Sequence, residues 1–207
     1  MRLLGEEEGV FIGIASCLSG TVDQARVAAR ESDVAVRVVD SLTLSTGVVL
    51  LAMLAADLRA AGKDADEIAS CVAAALPKVR MSFVLEVFRH LYLGGRCSAL
   101  QSLPSNVLAI RPVITCLPDR TLGIEGKVHG NRRRALRALI CDFHAQVNEV
   151  DLRRVFVTHS GCPEDAEDLA RQLASIAPID EPLVTEAGAV VASHCGSGTI
   201  GVLYLTR

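Results

Sequence analysis

The chain has 207 residues, a formal net charge of −3 and a composition that is 50% hydrophobic but only 3% aromatic, with no Trp. That length suits one large domain or two small ones, and the apolar content is ample for a core without disulfide staples. Scarce aromatic rings and a negative balance argue against a nucleic-acid surface that stacks bases on aromatic side chains. The seven cysteines, at 17, 71, 97, 116, 141, 162 and 195, are odd in number and form no CxxC pair. They indicate neither a disulfide framework nor a cysteine-rich zinc site, and point to a reducing cytoplasm. Residues 1–8 lack a long apolar signal region, and the longest apolar stretch, Gly47 to Ala56, is too short to span a bilayer. A soluble cytoplasmic protein without stable membrane insertion is expected.

In chain order, the pattern predicts a strand over Val10 to Ala15, a helix over Val22 to Glu31 and a buried strand over Val34 to Val39 ending at Asp40-Ser41. Such alternation builds a parallel sheet. A long apolar helix follows over Leu42 to Ala61, closed by Gly62, and Asp64 with Glu67 forms a capping-box start for a helix that stops at Pro77. A boundary is expected around Pro77 to Arg80. Beyond it come a strand over Ser82 to Val87, a helical stretch over Arg89 to Leu93, a break at Gly94-Gly95 and a second capping box over Ser98 to Gln101. Strands are predicted at Leu108 to Cys116 and Gly123 to Val128, with Pro112 marking an edge or a bulge. A basic helix over Arg132 to Val147, a strand over Val155 to His159, a helix over Pro163 to Ile176 and a strand over Leu183 to Thr185 precede a closing apolar run, Val202 to Leu205.

Two segments carry chemistry. Ser16-Cys17-Leu18-Ser19-Gly20-Thr21 lies between a strand and a helix, where hydroxyls and helix-terminal N–H groups can meet an anion. The alternative there is plain helix capping, with Gly20 relaxing the turn and Thr21 as the cap. Ser193-His194-Cys195-Gly196-Ser197-Gly198 places an imidazole and hydroxyls in a glycine-rich turn that allows close backbone approach to a ligand. A satisfied core histidine is the plainer reading. A Ser19 and His194 hydrolase dyad lacks an assignable orienting acid and oxyanion hole, so no catalytic residue is assigned. A metal reading of His159 and Cys162 with His194 and Cys195 lacks a spaced ligand pair, and no metal is expected. The basic run Arg132-Arg133-Arg134 is either a solvated helix face or a docking surface for phosphate or an acidic partner, to which Arg96 and Arg111 add charge.

Taken together the motifs resemble the DegV family of fatty-acid-binding proteins. Leu18-Ser19-Gly20-Thr21 with Ala25-Arg26 is similar to the family's "SKLSGTYQSAR", and Val38-Val39-Asp40-Ser41 to its "VIDS" strand end. Phe88 to Cys97 resembles "LEYLRKGGRI", Ile110 to Ile114 resembles "IKPIL", Lys127 to Arg132 resembles "KVRGRKK", and Thr158 to Gly161 opens like "AHAGAPEEAE". Glu186 to Gly201 resembles "EIGPVIGTHTGPGALG", with Cys195 in place of a threonine; His129 likewise replaces an arginine of the basic motif.

The resemblance implies a two-domain α/β architecture: a parallel-sheet α/β/α first domain over residues 1–80, shortened because the family's N-terminal segment and its "TSQPS" loop have no counterpart, and a second α/β domain with a mixed sheet over residues 81–207. It implies a bound long-chain fatty acid as ligand, no other cofactor, and a carboxylate held by Ser19 and His194, with Thr21 and Ser197 beside them. Arg96, Arg111, Arg132 and Arg133 are implied to support the site or a partner surface. The implied role is that of a non-enzymatic carrier presenting the acyl carboxylate to a fatty-acid kinase, and the shortened first domain implies an apolar edge suited to a homodimer. The competing readings are a binding-incompetent remnant or interaction module, and an acyl hydrolase.

Overall fold

The computed structural model describes residues 8–87, 89–97, 110–117, 119, 121–179 and 182–207. The chain folds as two compact units, Met1–Val79 and Arg80–Arg207.

The first unit is built on two parallel strands, β1 (Gly9–Gly13) and β2 (Val36–Asp40), with Gly9 opposite Val36 and Gly13 opposite Asp40. Helix α1 (Thr21–Arg30) crosses between them, and α2 (Thr46–Ala60) and α3 (Ala65–Ala75) follow. Val22, Val39, Leu50, Leu51, Ile68 and Val72 are buried among these elements. Asp64 caps α3 as its sequence predicts: its side chain accepts from the Glu67 N–H while the Glu67 carboxylate accepts from the Asp64 N–H. Helix α2 starts four residues later than the apolar run suggests. Leu42 (φ 54°) and Ser45 (φ 52°) sit in the left-handed region, which a right-handed helix cannot include.

The second unit contains β3 (Val79–Val84, whose first residue closes the first unit), α4 (Arg89–Leu93), β4 (Ile110–Cys116), β5 (Leu122–His129), α5 (Arg132–Gln146), β6 (Val150–His159), α6 (Pro163–Ile176), β7 (Leu183–Glu186), α7 (Ala189–Cys195) and β8 (Ile200–Thr206). Its six-stranded mixed sheet runs in the order β5-β4-β3-β8-β6-β7. β4 is antiparallel to β3 and β5, while β6 is antiparallel to β8 and parallel to β7. Leu139 and Phe143 of α5 and Leu169 and Leu173 of α6 are buried in one cluster with Val155, Val157, Ile200 and Val202 of the sheet. Phe143 meets Tyr204 edge-on at 5.5 Å between ring centres.

Pro112 lies in an inner strand and not at an edge, but the bulge expected as the alternative is there: the β4–β5 register shifts between Val113 and Ile114, and Pro112 falls one residue beyond the β3–β4 ladder, which ends at Val84 opposite Val113. β3 begins three residues earlier than expected and ends at Val84 rather than Val87, and β6 begins five residues earlier because it pairs further than its apolar run extends, with Val150 opposite Thr206. His194 stands in the last turn of helix α7 and not in a glycine turn; the turn begins only at Gly196 (φ 80°). The expected capping box at Ser98 to Gln101 lies outside the described residues.

Candidate functional site

The loops that leave the carboxyl ends of β1 and β2 are tied to each other, the place where open parallel sheets present ligands. The Asp40 carboxylate accepts from the backbone N–H groups of Ser16 (3.2 Å) and Leu42 (3.1 Å), and the Ala15 N–H donates to the Thr43 carbonyl at 2.9 Å. Ser19 is half-buried in this loop and Thr21 is exposed. Their hydroxyl oxygens lie 2.8 Å apart, and the Ser19 oxygen also accepts from the Thr21 N–H at 3.3 Å. One hydroxyl proton is consumed within the pair, so one remains to be donated outward, at the N-terminus of a ten-residue helix. The capping reading of Thr21 does not hold: Gly20 is the capping residue, without a side-chain bond, and Thr21 is the first helical residue.

In the second unit His194 is half-buried against the loop after α4. A Cβ at Gly94 would come within 2.5 Å of His194 Nδ1, so only glycine permits this approach. Arg96 folds back on the same loop, donating to the Gly94 carbonyl at 2.6 Å. The turn after α7 is held by backbone bonds to the loop after β6: the Gly198 N–H donates to the Ser160 carbonyl at 2.7 Å, and the Ser160 N–H to the Thr199 carbonyl at 2.8 Å. Ser197, exposed, lies over Gly161, where a Cβ would meet its hydroxyl oxygen at 2.9 Å.

Behind this turn stands an ion-pair network. Glu86 accepts from Arg111 Nη2 at 2.5 Å and from Arg132 Nη1 at 3.1 Å; Arg132 also donates to the Gly198 carbonyl at 2.6 Å and to Asp165 at 2.5 Å; and Arg111 donates to the Gly130 carbonyl at 2.6 Å. The Arg111 hydrogen bond, aided by Arg132, holds the Glu86 carboxyl below its usual range. Arg111 and Arg132 are therefore turned into the unit, whereas Arg96 and Arg133 are exposed. Glu86 and Asp165 were not anticipated; the signal available was three arginines in the first turn of a helix, where the macrodipole disfavours cations.

His159 is buried and its Nδ1 accepts from the Cys162 N–H at 3.3 Å, a loop-closing role. Burial raises the Cys195 thiol to about 11, so it is a neutral packing group. Among the described residues no group of three His, Cys, Asp or Glu side chains is placed to hold a metal ion, and no helix is long and apolar enough to cross a membrane.

A sequence profile described as "Uncharacterised protein, DegV family" matches residues 2–207. The chain belongs to the DegV family. Among DegV relatives, a DegV domain-containing protein of Clostridium perfringens is 30% identical over 201 residues, covering 95% of this chain and 69% of that protein. One from Mycobacterium tuberculosis is 32% identical over 205 residues, covering 97% and 72%. Among solved structures, a DegV family protein from Thermus thermophilus described by its fatty-acid binding superposes with a TM-score of 0.86 at 29% identity, covering 96% of this chain and 70% of that one. A DegV lipid-binding protein from Thermotoga maritima gives 0.85 at 25% identity, covering 97% and 69%. The mixed α/β architecture, a two-stranded parallel sheet followed by a six-stranded mixed one, is that of DegV structures.

Proposed function

We propose that this DegV protein binds a long-chain fatty acid, hydrogen-bonding its carboxylate with Ser19 and Thr21 of the first unit and His194 and Ser197 of the second. It works as a carrier with no catalytic residue and no cofactor beyond the bound lipid, and presents the carboxylate to a fatty-acid kinase in the cytoplasm for acyl phosphate formation. The observation that carries this reading is the likeness to the fatty-acid-binding protein of Thermus thermophilus, at 29% identity over 96% of the chain.

The chemistry of the loops supports it. Each methylene buried contributes about 0.8 kcal/mol, so the alkyl tail dominates affinity and the polar groups fix its direction. The Ser19 and Thr21 pair keeps one proton to donate, as a carboxylate oxygen requires. The exposed side chains of Arg96 and Arg133 suit the phosphate and acidic groups of a kinase partner, while Arg111 and Arg132 pair with Glu86 inside the unit.

Mass spectrometry of organic extracts from the purified protein tests this directly. A stoichiometric long-chain fatty acid is expected, and loaded protein added to a fatty-acid kinase with ATP yields acyl phosphate. An empty protein that also takes up no added oleate would replace the carrier reading with that of an interaction module, and release of fatty acid from acyl esters without a partner would make it a hydrolase.

A further inference from the structure

Arg132 occupies a position that its own helix disfavours. It is the first residue of α5, and Arg133 and Arg134 complete a first turn that holds no acidic residue, where the helix dipole favours anions. A sequence that breaks a local rule in this way marks a constraint imposed from elsewhere. Here the constraint is visible: the Arg132 guanidinium reaches three other segments at once, Asp165 in the first turn of α6, Glu86 just after β3, and the Gly198 carbonyl in the turn between α7 and β8. Arg111 braces the arrangement by gripping Glu86 and the Gly130 carbonyl, two residues before Arg132. Gly198 is itself confined, at φ 82° with the Glu86 Cβ 2.8 Å from where its own Cβ would stand.

We propose that Arg132 is a positioning residue for the carboxylate-binding groups: its bond to the Gly198 carbonyl, held by Glu86 and Asp165, fixes the turn that carries Ser197 and ends the helix bearing His194. This inference rests on the carrier reading of His194 and Ser197. It separates Arg132 from its neighbour Arg133, whose side chain is exposed. A partner-surface arginine acts only when the partner is present, whereas a positioning arginine acts on the free protein.

The experiment has a ligand-free arm and a ligand arm. In the first, the ring signals of His194 and the exchange protection of the Gly198 amide are followed by NMR in the wild type, Arg132→Gln and Arg133→Gln. Arg132→Gln is expected to shift the His194 ring signals and to lower Gly198 protection at least tenfold, with Arg133→Gln leaving both unchanged. Unaltered His194 signals in Arg132→Gln would overturn the inference whatever the protein binds. In the second arm, oleate and methyl oleate compete with a dansylated fatty acid. The wild type is expected to prefer oleate; Arg132→Gln is expected to lose about tenfold of that preference, and to lose nothing further in a His194→Ala background. Equal loss of both probes would reduce Arg132 to a fold-stabilising residue and sink the inference. A wild type without any preference would sink the carboxylate reading itself, while the ligand-free arm still decides the role of Arg132. Should Arg132→Gln not fold, judged by far-ultraviolet circular dichroism, Glu86→Gln and Asp165→Asn remove one charge at a time from the same network and are read in the same way.

Discussion

The two polar loops are built by opposite means. The Ser16 to Thr21 loop is closed by its own residues and one acid from the neighbouring strand end: Ser19 with Thr21, and Asp40 reaching the Ser16 N–H. The Gly196 to Thr199 turn depends on side chains from three segments far away in sequence, Glu86, Arg132 and Asp165, and on glycines at 161 and 198 that give it room. The Ser19 and Thr21 pair is therefore expected to tolerate the loss of a side chain better than the turn assembled from distant parts.

That contrast can be broken hardest at Arg132. Arg132→Ala strips Glu86 and Asp165 of a partner and the Gly198 carbonyl of a donor, and urea denaturation is expected to show a loss of about 2 to 3 kcal/mol. Gly198→Ala comes next, at about 1 to 2 kcal/mol, because it forces an alanine into the left-handed region with the Glu86 Cβ in its way; the same measurement with oleate affinity should show both falling together. In the first unit, Asp40→Ala leaves the Ser16 and Leu42 N–H groups without their acceptor and is expected to cost about 1 kcal/mol.

The acid side of the stability curve sharpens the comparison further. The Glu86 carboxyl titrates below its ordinary value of 4.5 in the folded protein, chiefly through the Arg111 hydrogen bond. Its contribution is therefore complete above that ordinary value and is lost as pH falls from there through the lowered one, since the unfolded chain takes up the proton first. Glu86→Gln should flatten that part of the profile in acid unfolding followed by circular dichroism. The smallest effect on stability is expected from Ser19→Ala, below about 0.5 kcal/mol because its partner Thr21 is exposed, even as affinity for oleate drops several-fold while that for methyl oleate does not.

Where local chemistry decides the structure, the chain could be read directly. Asp64 and Glu67 form their capping box, Pro163 opens α6 and Arg89 to Leu93 is helical, each from residues within one turn of each other. Helix α7 escaped because Ala-Val-Val-Ala-Ser-His-Cys is two turns long, β-branched at two positions and flanked by glycines, a pattern with no preferred period. The Arg132 run was legible as a basic segment, but whether a guanidinium faces water or a carboxylate depends on Glu86, 46 residues earlier, and Asp165, 33 residues later.

The amino-acid sequence by itself determined the alternation of strands and helices and the order of the family motifs, and it supplied the hydroxyl and imidazole groups proposed to meet a ligand, because each is a matter of residue type and short spacing. Only the tertiary structure decided which arginines are spent inside the second unit, how far β3 and β6 extend, and that Gly94 makes room for His194. Those outcomes depend on pairings across tens of residues, where the energy of a charge or a hydrogen bond is set by what the fold brings beside it.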